Sequence, residues 1–148
     1  MSTDEAVTKD LIQTLEDGTD GFAKGAEKLD DSDRPDLAAT FRELSEQRAQ
    51  FSAELRGMAS QYGDEIHESG SLTGALHRGW MSLKDVISGS EPDGVLDVAE
   101  QGEDHAVSEY EKALGQDISA GLRTVVERQL TDVRAAHDRV RSLRSAQS

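Results

Sequence analysis

The chain contains no cysteine, which excludes a disulfide framework, a thiolate metal cluster and a thiol nucleophile. Only two prolines are present, Pro35 and Pro92, and both fall between periodic segments, where proline breaks no helix. Aromatic residues make up 4% and apolar residues 35% of the 148 positions. The core must therefore be aliphatic and sparse, and the spacing of its members carries the fold signal. No apolar run approaches the ~18 residues of a membrane span. Positive charge is scarce as well: 16 Lys and Arg stand against 30 Asp and Glu, a formal charge of -14. Nucleic acids and anionic membranes both need basic surface, so neither is expected as a partner. The opening Met-Ser-Thr-Asp-Glu is acidic and lacks the basic start and apolar core of an export signal, so a cytoplasmic protein is expected. No Ser, His and acid cluster sits at a nucleophile elbow and no glycine-rich phosphate loop follows a strand, so no catalytic residue is assigned.

What is present is helical periodicity. Four stretches place apolar residues three or four apart, the mark of helices buried along one face. The first holds Leu11, Leu15, Gly18, Phe22, Gly25 and Leu29, and the second Phe41, Leu44, Arg48, Phe51, Leu55 and Met58. The third runs through Leu96, Ala99, Glu103, Ala106, Tyr110 and Ala113, with Val107 and Leu114 alongside. The fourth holds Val126, Leu130, Val133, His137 and Val140, with Leu143 continuing it. Strand alternation is absent. The length suits a single domain, with bundle helices at about 7–29, 36–60, 94–114 and 120–145. Short connections make helices one and two, and helices three and four, antiparallel neighbours. The stretch 61–93 is too long for a turn and has its own stripe of Leu72, Leu76, Trp80, Leu83 and Ile87. An all-α, ferritin-like four-helix bundle follows, with one long, partly helical crossover between helices two and three. Charge is uneven: residues 121–148 carry six Arg against Glu127, Asp132 and Asp138, a local balance of +3. A basic fourth helix lying beside acidic partners accounts for this, and a polyanion-binding arm is the alternative.

The informative residues are polar ones at stripe positions: Arg48, Glu103 and His137. A lone buried charge costs several kcal/mol, so such groups are paired or hydrogen-bonded. Counted from a shared end at about 1.5 Å per residue, the three levels agree within roughly one turn. They are expected to form one polar layer. In one reading Arg48 and Glu103 make a buried ion pair that fixes helix register, with His137 a satisfied core histidine. In the other, Glu103 and His137 are metal ligands, with Glu16, Asp17 or Asp20 and Glu46 or Glu100 as further candidates. Di-iron bundles combine such carboxylates with Glu-x-x-His, because positions i and i+3 share a face. No Glu-x-x-His occurs here; the nearest spacing, Asp64-x-x-His67, falls in the crossover. The acidic pairs Glu43 and Glu46, Glu100 and Glu103, and Asp17 and Asp20 read as solvated faces or as rim sites for a divalent ion. Gly18 and Gly25 share a stripe and suggest a packing device that admits a neighbouring helix or a large side chain such as Phe51 or Trp80.

The segment Ser69-Gly-Ser-Leu-Thr-Gly-Ala-Leu-His-Arg-Gly-Trp-Met-Ser-Leu-Lys84 resembles the crossover of a bacterial ferritin-like family of unknown function. Leu15-Glu-Asp-Gly18 with Phe22, Gly102-Glu-Asp104 with Tyr110, and Ala136-His-Asp-Arg-Val-Arg141 resemble it too. The resemblance spans about residues 8–144 and implies a ferritin-like fold, a bacterial cytoplasmic setting, a stress-associated role and a metal-site ancestry. Taken with the residues, it leads to an expectation of a non-enzymatic bundle with an interaction or structural role, acting as a homodimer with an unidentified protein partner. The alternative is a carboxylate and histidine site for iron or another divalent metal, in a storage or redox protein. Trp80 and Met81 are expected to serve either as a dimer-covering surface or as the lid of the bundle.

Overall fold

Two tight turns set the pairing of the helices. In the computed structural model, which describes residues 3–59 and 92–147, α1 (Thr3–Asp30) turns into α2 (Pro35–Ala59), and α3 (Pro92–Leu114) into α4 (Ala120–Gln147). Pro35 and Pro92 each occupy the first helical position, where the missing N–H is no loss. Asp4 and Glu5 begin α1 at the positive end of its dipole. Asp4 Oδ1 also accepts a hydrogen bond of 2.8 Å from the Ser119 N–H, which ties the start of α1 to the start of α4. Gly115 closes α3 by donating its N–H to the carbonyls of Glu111 and Lys112 at 3.2 and 3.1 Å. Ser119 caps α4, its Oγ accepting the Leu122 N–H at 3.3 Å.

These four helices form a bundle, with no strand among the described residues. α1 packs against both α2 and α3, and α3 against α4, with a lighter contact between α2 and α4. The starts of α2 and α3 share one apolar cluster, which holds Leu37, Ala38, Phe41, Val95, Leu96 and Ala99. Their ends share a second, with Phe51, Leu55, Tyr110 and Ala113. Helices α2 and α3 therefore run parallel across the bundle diagonal, and each lies antiparallel to α1. Both ends of α1 and α4 extend beyond the apolar stripes, α1 beginning at Thr3 and α4 ending at Gln147. The stripe residues Leu72, Leu76, Trp80, Leu83 and Ile87 lie outside the described residues, as do the crossover assignments made for Trp80 and Met81.

The two glycines of the α1 stripe do different things, and the side chains they admit are Phe41 and Arg48 rather than Phe51. A Cβ on Gly25 would stand 2.7 and 2.8 Å from two ring carbons of Phe41, well inside contact distance. Phe41 in turn meets Phe22 edge-on, with ring centroids 5.2 Å apart at 89°. A Cβ on Gly18 would touch Arg48 Cγ at 3.4 Å, an ordinary contact. The two substitutions should therefore diverge. Gly25→Ala overpacks a rigid ring and should lower stability by about 1–3 kcal/mol. Gly18→Ala should be neutral or gain up to about 1 kcal/mol from helix propensity. Parallel urea melts of the two variants measure the difference.

Candidate functional site

A polar layer interrupts the core between the two apolar clusters. Arg48 comes from the middle of α2 and Glu103 from the middle of α3, each carried inward because its stripe neighbours are apolar. Their side chains are 1% and 0% exposed. The contact is two-pronged: Nη1 donates to Glu103 Oε1, and Nη2 donates to Oε2 at 2.6 Å. A planar guanidinium meeting a carboxylate edge-on is the strongest geometry available to this pair. The Arg48 Nε donates to Gln47 Oε1 at 3.1 Å, and the guanidinium carbon lies 5.4 Å from the centre of the Phe22 ring. Gly18 lies against the Arg48 stem, where a Cβ would meet Arg48 Cγ at an ordinary 3.4 Å. The pair thus spans the diagonal between α2 and α3 while leaning on α1.

A second polar connection lies within the other cluster. Tyr110 donates its hydroxyl proton to Gln129 Oε1 at 2.7 Å, and Gln129 Nε2 reaches Glu54 Oε1 at 2.9 Å and the Phe51 carbonyl at 3.4 Å. Burial pushes the Tyr110 hydroxyl above the usual phenol range, with the Glu54 charge adding and Arg48 opposing. Glu54 also pairs with Arg128 at the rim. These bonds join α2, α3 and α4. A buried tyrosine needs a hydroxyl partner, and that requirement is the sequence signal pointing to a polar residue such as Gln129 on a facing helix.

His137 does not enter the Arg48–Glu103 layer. Its Nε2 lies 2.5 Å from Asp104 Oδ1, and its Nδ1 lies 3.5 Å from Asp138 Oδ1. Asp104 follows Glu103 by one residue and is thus turned about 100° around α3, toward the rim with α4. The three-residue layer expected from helix levels is corrected to a two-residue interior pair and a separate rim group. Glu100 belongs to that rim group, its carboxylate close to those of Asp104 and the ring of His137. It also receives Arg144 at 2.8 Å and lies 3.6 Å from Arg141. The Arg144 hydrogen bond and the nearby positive charges hold the Glu100 carboxyl below its ordinary range despite partial burial.

The remaining candidates are scattered. Glu16 pairs with Arg56 at 2.9 Å on the α1–α2 side. Asp20 and Glu46 line a shallow groove with Lys24, Glu27 and Arg42, so cations already stand among these acids. Two of the three i, i+3 acidic pairs are split by the bundle: Asp17 is buried while Asp20 is exposed, and Glu103 faces inward while Glu100 faces the arginines; Glu43 and Glu46 are both exposed. Along α4, Arg134 meets Glu111 at 2.7 Å, Arg139 meets Glu43 at 3.1 Å, and Arg144 meets Asp97 at 3.2 Å. Arg123 donates to the Leu114 and Gln116 carbonyls at 2.9 and 3.1 Å. The basic helix is matched to acidic neighbours on α2 and α3, which is the first of the two explanations for its charge.

Asp17 is a buried carboxyl that the periodicity did not reveal. It is 4% exposed, and burial pushes its pKa up to about 7; the Gln13 hydrogen bond opposes the rise, and the Asp20 and Glu16 charges add to it. The folded state then keeps a proton that the unfolded chain releases near its ordinary value of 3.8. This group's contribution to stability is complete below that value and is lost as pH rises to about 7.

The architecture defines a class: a four-helix bundle whose two apolar clusters are separated by a buried guanidinium–carboxylate pair. By sequence the chain belongs to the DUF2383 family, a domain of unknown function, whose model matches residues 5–116. Arg48, Glu103 and Asp104 lie within the matched region, and α4 with His137 lies beyond it. No curated protein matches the chain significantly. None of the described helices is long and apolar enough to cross a membrane.

Two predictions follow from this geometry. Glu103→Ala leaves the Arg48 guanidinium buried and unpaired and should cost about 3–5 kcal/mol in a denaturant melt, whereas replacing both residues together, as Arg48→Met with Glu103→Leu, should be close to neutral or stabilising. Asp17→Asn should match the parent protein below pH 4 and exceed it by about 2–4 kcal/mol at pH 8, a difference read from thermal melts across that range.

Proposed function

We propose that this protein is a non-enzymatic, ferritin-like bundle acting in the cytoplasm as a homodimer, with a structural or interaction role in bacterial stress physiology. The observation that carries the reading is the occupation of the bundle interior by Arg48 on Glu103. A ferritin-like metal centre gathers several carboxylates and histidines from facing helices around one interior point. Here the carboxylate at that point spends both oxygens on a guanidinium, whose fixed positive charge repels a metal cation. Of the other sequence candidates, Glu16, Asp20 and Glu46 stand beside arginines or lysines, Glu100 is partly buried beside Arg144 and Arg141, His137 lies at the rim with Asp104, and Asp17 is buried on α1, where burial favours its protonated form. The ferritin-like part of the reading is supported by the parallel α2 and α3 and the long chain segment between them. The stress association draws on the resemblance of the crossover segment and its companion motifs.

The interior ion pair argues against a di-iron oxidation centre between the helices. Ferrous iron added to the purified chain and then exposed to air should oxidise at the rate of a protein-free control. Oxidation faster than that control, and slowed by Glu103→Gln, would establish the storage or redox reading instead. Sedimentation of the same preparation should give twice the 16.1 kDa chain mass.

A further inference from the structure

At the rim between α3 and α4, Glu100, Asp104 and His137 each offer one ligand atom, and these atoms all lie within 4.8 Å of one another. Glu100 and Asp104 are one turn apart on α3 and share a face; His137 reaches them from α4. The histidine is fixed rather than free: its side chain is 13% exposed, with Nε2 turned to Asp104 and Nδ1 turned to Asp138. We propose that these three residues form a divalent-cation site of the zinc class that clamps α3 to α4.

Three features carry the proposal. Two carboxylates one turn apart repel each other, and here one oxygen of each lies within 4.8 Å of a ring nitrogen of His137, close enough for one cation to bridge all three. The donor set is one imidazole nitrogen and two carboxylate oxygens from two helices. It leaves a fourth position for water and suits a borderline ion such as zinc better than calcium or magnesium, which favour all-oxygen shells. The second ring nitrogen faces the Asp138 carboxylate, the outer partner that orients metal-bound histidines. Arg144 and Arg141 are competitors, since both reach the Glu100 carboxylate in the structure. Their side chains are 48% and 62% exposed, so each can swing into solvent when an ion takes their place. The site is separate from the Arg48–Glu103 pair and does not depend on the function proposed above.

Calorimetric titration of zinc chloride into the chelator-treated full chain tests it. One equivalent should bind with micromolar affinity and raise the melting temperature. His137→Ala and Asp104→Asn should each weaken binding at least ~10-fold with helix content unchanged by circular dichroism, and Asp138→Asn should weaken it less. Arg144→Gln should tighten binding, because it frees Glu100. Cobalt substituted for zinc should give visible absorption that disappears in His137→Ala. The proposal is overturned by absence of saturable binding, or by zinc binding to His137→Ala as tightly as to the parent chain, which would place the ion elsewhere.

Discussion

A guanidinium and a carboxylate withdrawn completely from water are the constraint around which this bundle is arranged. Each ion alone would lose several kcal/mol on burial, and their attraction offsets that loss only when geometry is good and the remaining donors are met. Arg48 and Glu103 satisfy the first condition with two parallel hydrogen bonds. Gln47 accepts from the guanidinium Nε, and the Phe22 ring faces it. Such a pair is weak evidence of added stability; its consequence is positional. α2 cannot slide along α3 by a turn without separating the charges, so the pair selects one register from several that the aliphatic stripes alone would tolerate. α1 covers the arginine stem, with Gly18 lying against it.

The rest of the molecule is organised on either side of that layer. Phe22, Phe41 and the starts of α2 and α3 fill one end, and Tyr110 with the aliphatic residues of α4 fills the other. Among the described residues, Phe22 lies beside the Arg48 guanidinium and Tyr110 is bonded to Gln129, so rings stand where the core is polar. At the surface, the arginines of α4 lie along the acidic faces of α2 and α3. Exposed pairs of this kind are worth about 1 kcal/mol or less each, so they orient α4 rather than hold the fold together. The strongly negative total charge is therefore partly balanced where α4 packs, and Arg42 on Asp30 and Arg56 on Glu16 add further pairs between α1 and α2.

Much of this could be read from spacing alone. A charged residue flanked at three and four positions by Leu, Phe and Ala must face inward, and that argument picked out Arg48 and Glu103 without coordinates. Azimuth was less legible than height. His137 lies near the level of Glu103, but one residue is about 100° of rotation, and that rotation separates an interior carboxylate from Asp104 at the rim. Asp17 stood out in the sequence only as a candidate ligand or rim acid, and its burial was not legible for a related reason. α1 packs against two helices, so its buried arc is wider than one stripe and takes in Thr14, Asp17 and Gly21, residues too small or polar to register as periodic. The Gln129 link was hidden because a hydrogen-bond partner leaves no apolar trace.

A bundle centred on an ion pair has a different repertoire from one centred on a metal, and that distinction rests on the Arg48 guanidinium being locked to Glu103 in solution. Nitrogen-15 NMR of the arginine side chains addresses this directly. The account predicts that the Arg48 Nη protons appear as separate, slowly exchanging resonances, which collapse to an averaged signal in Glu103→Gln. Arg48 resonances as averaged and exchangeable as those of the surface arginines would contradict it.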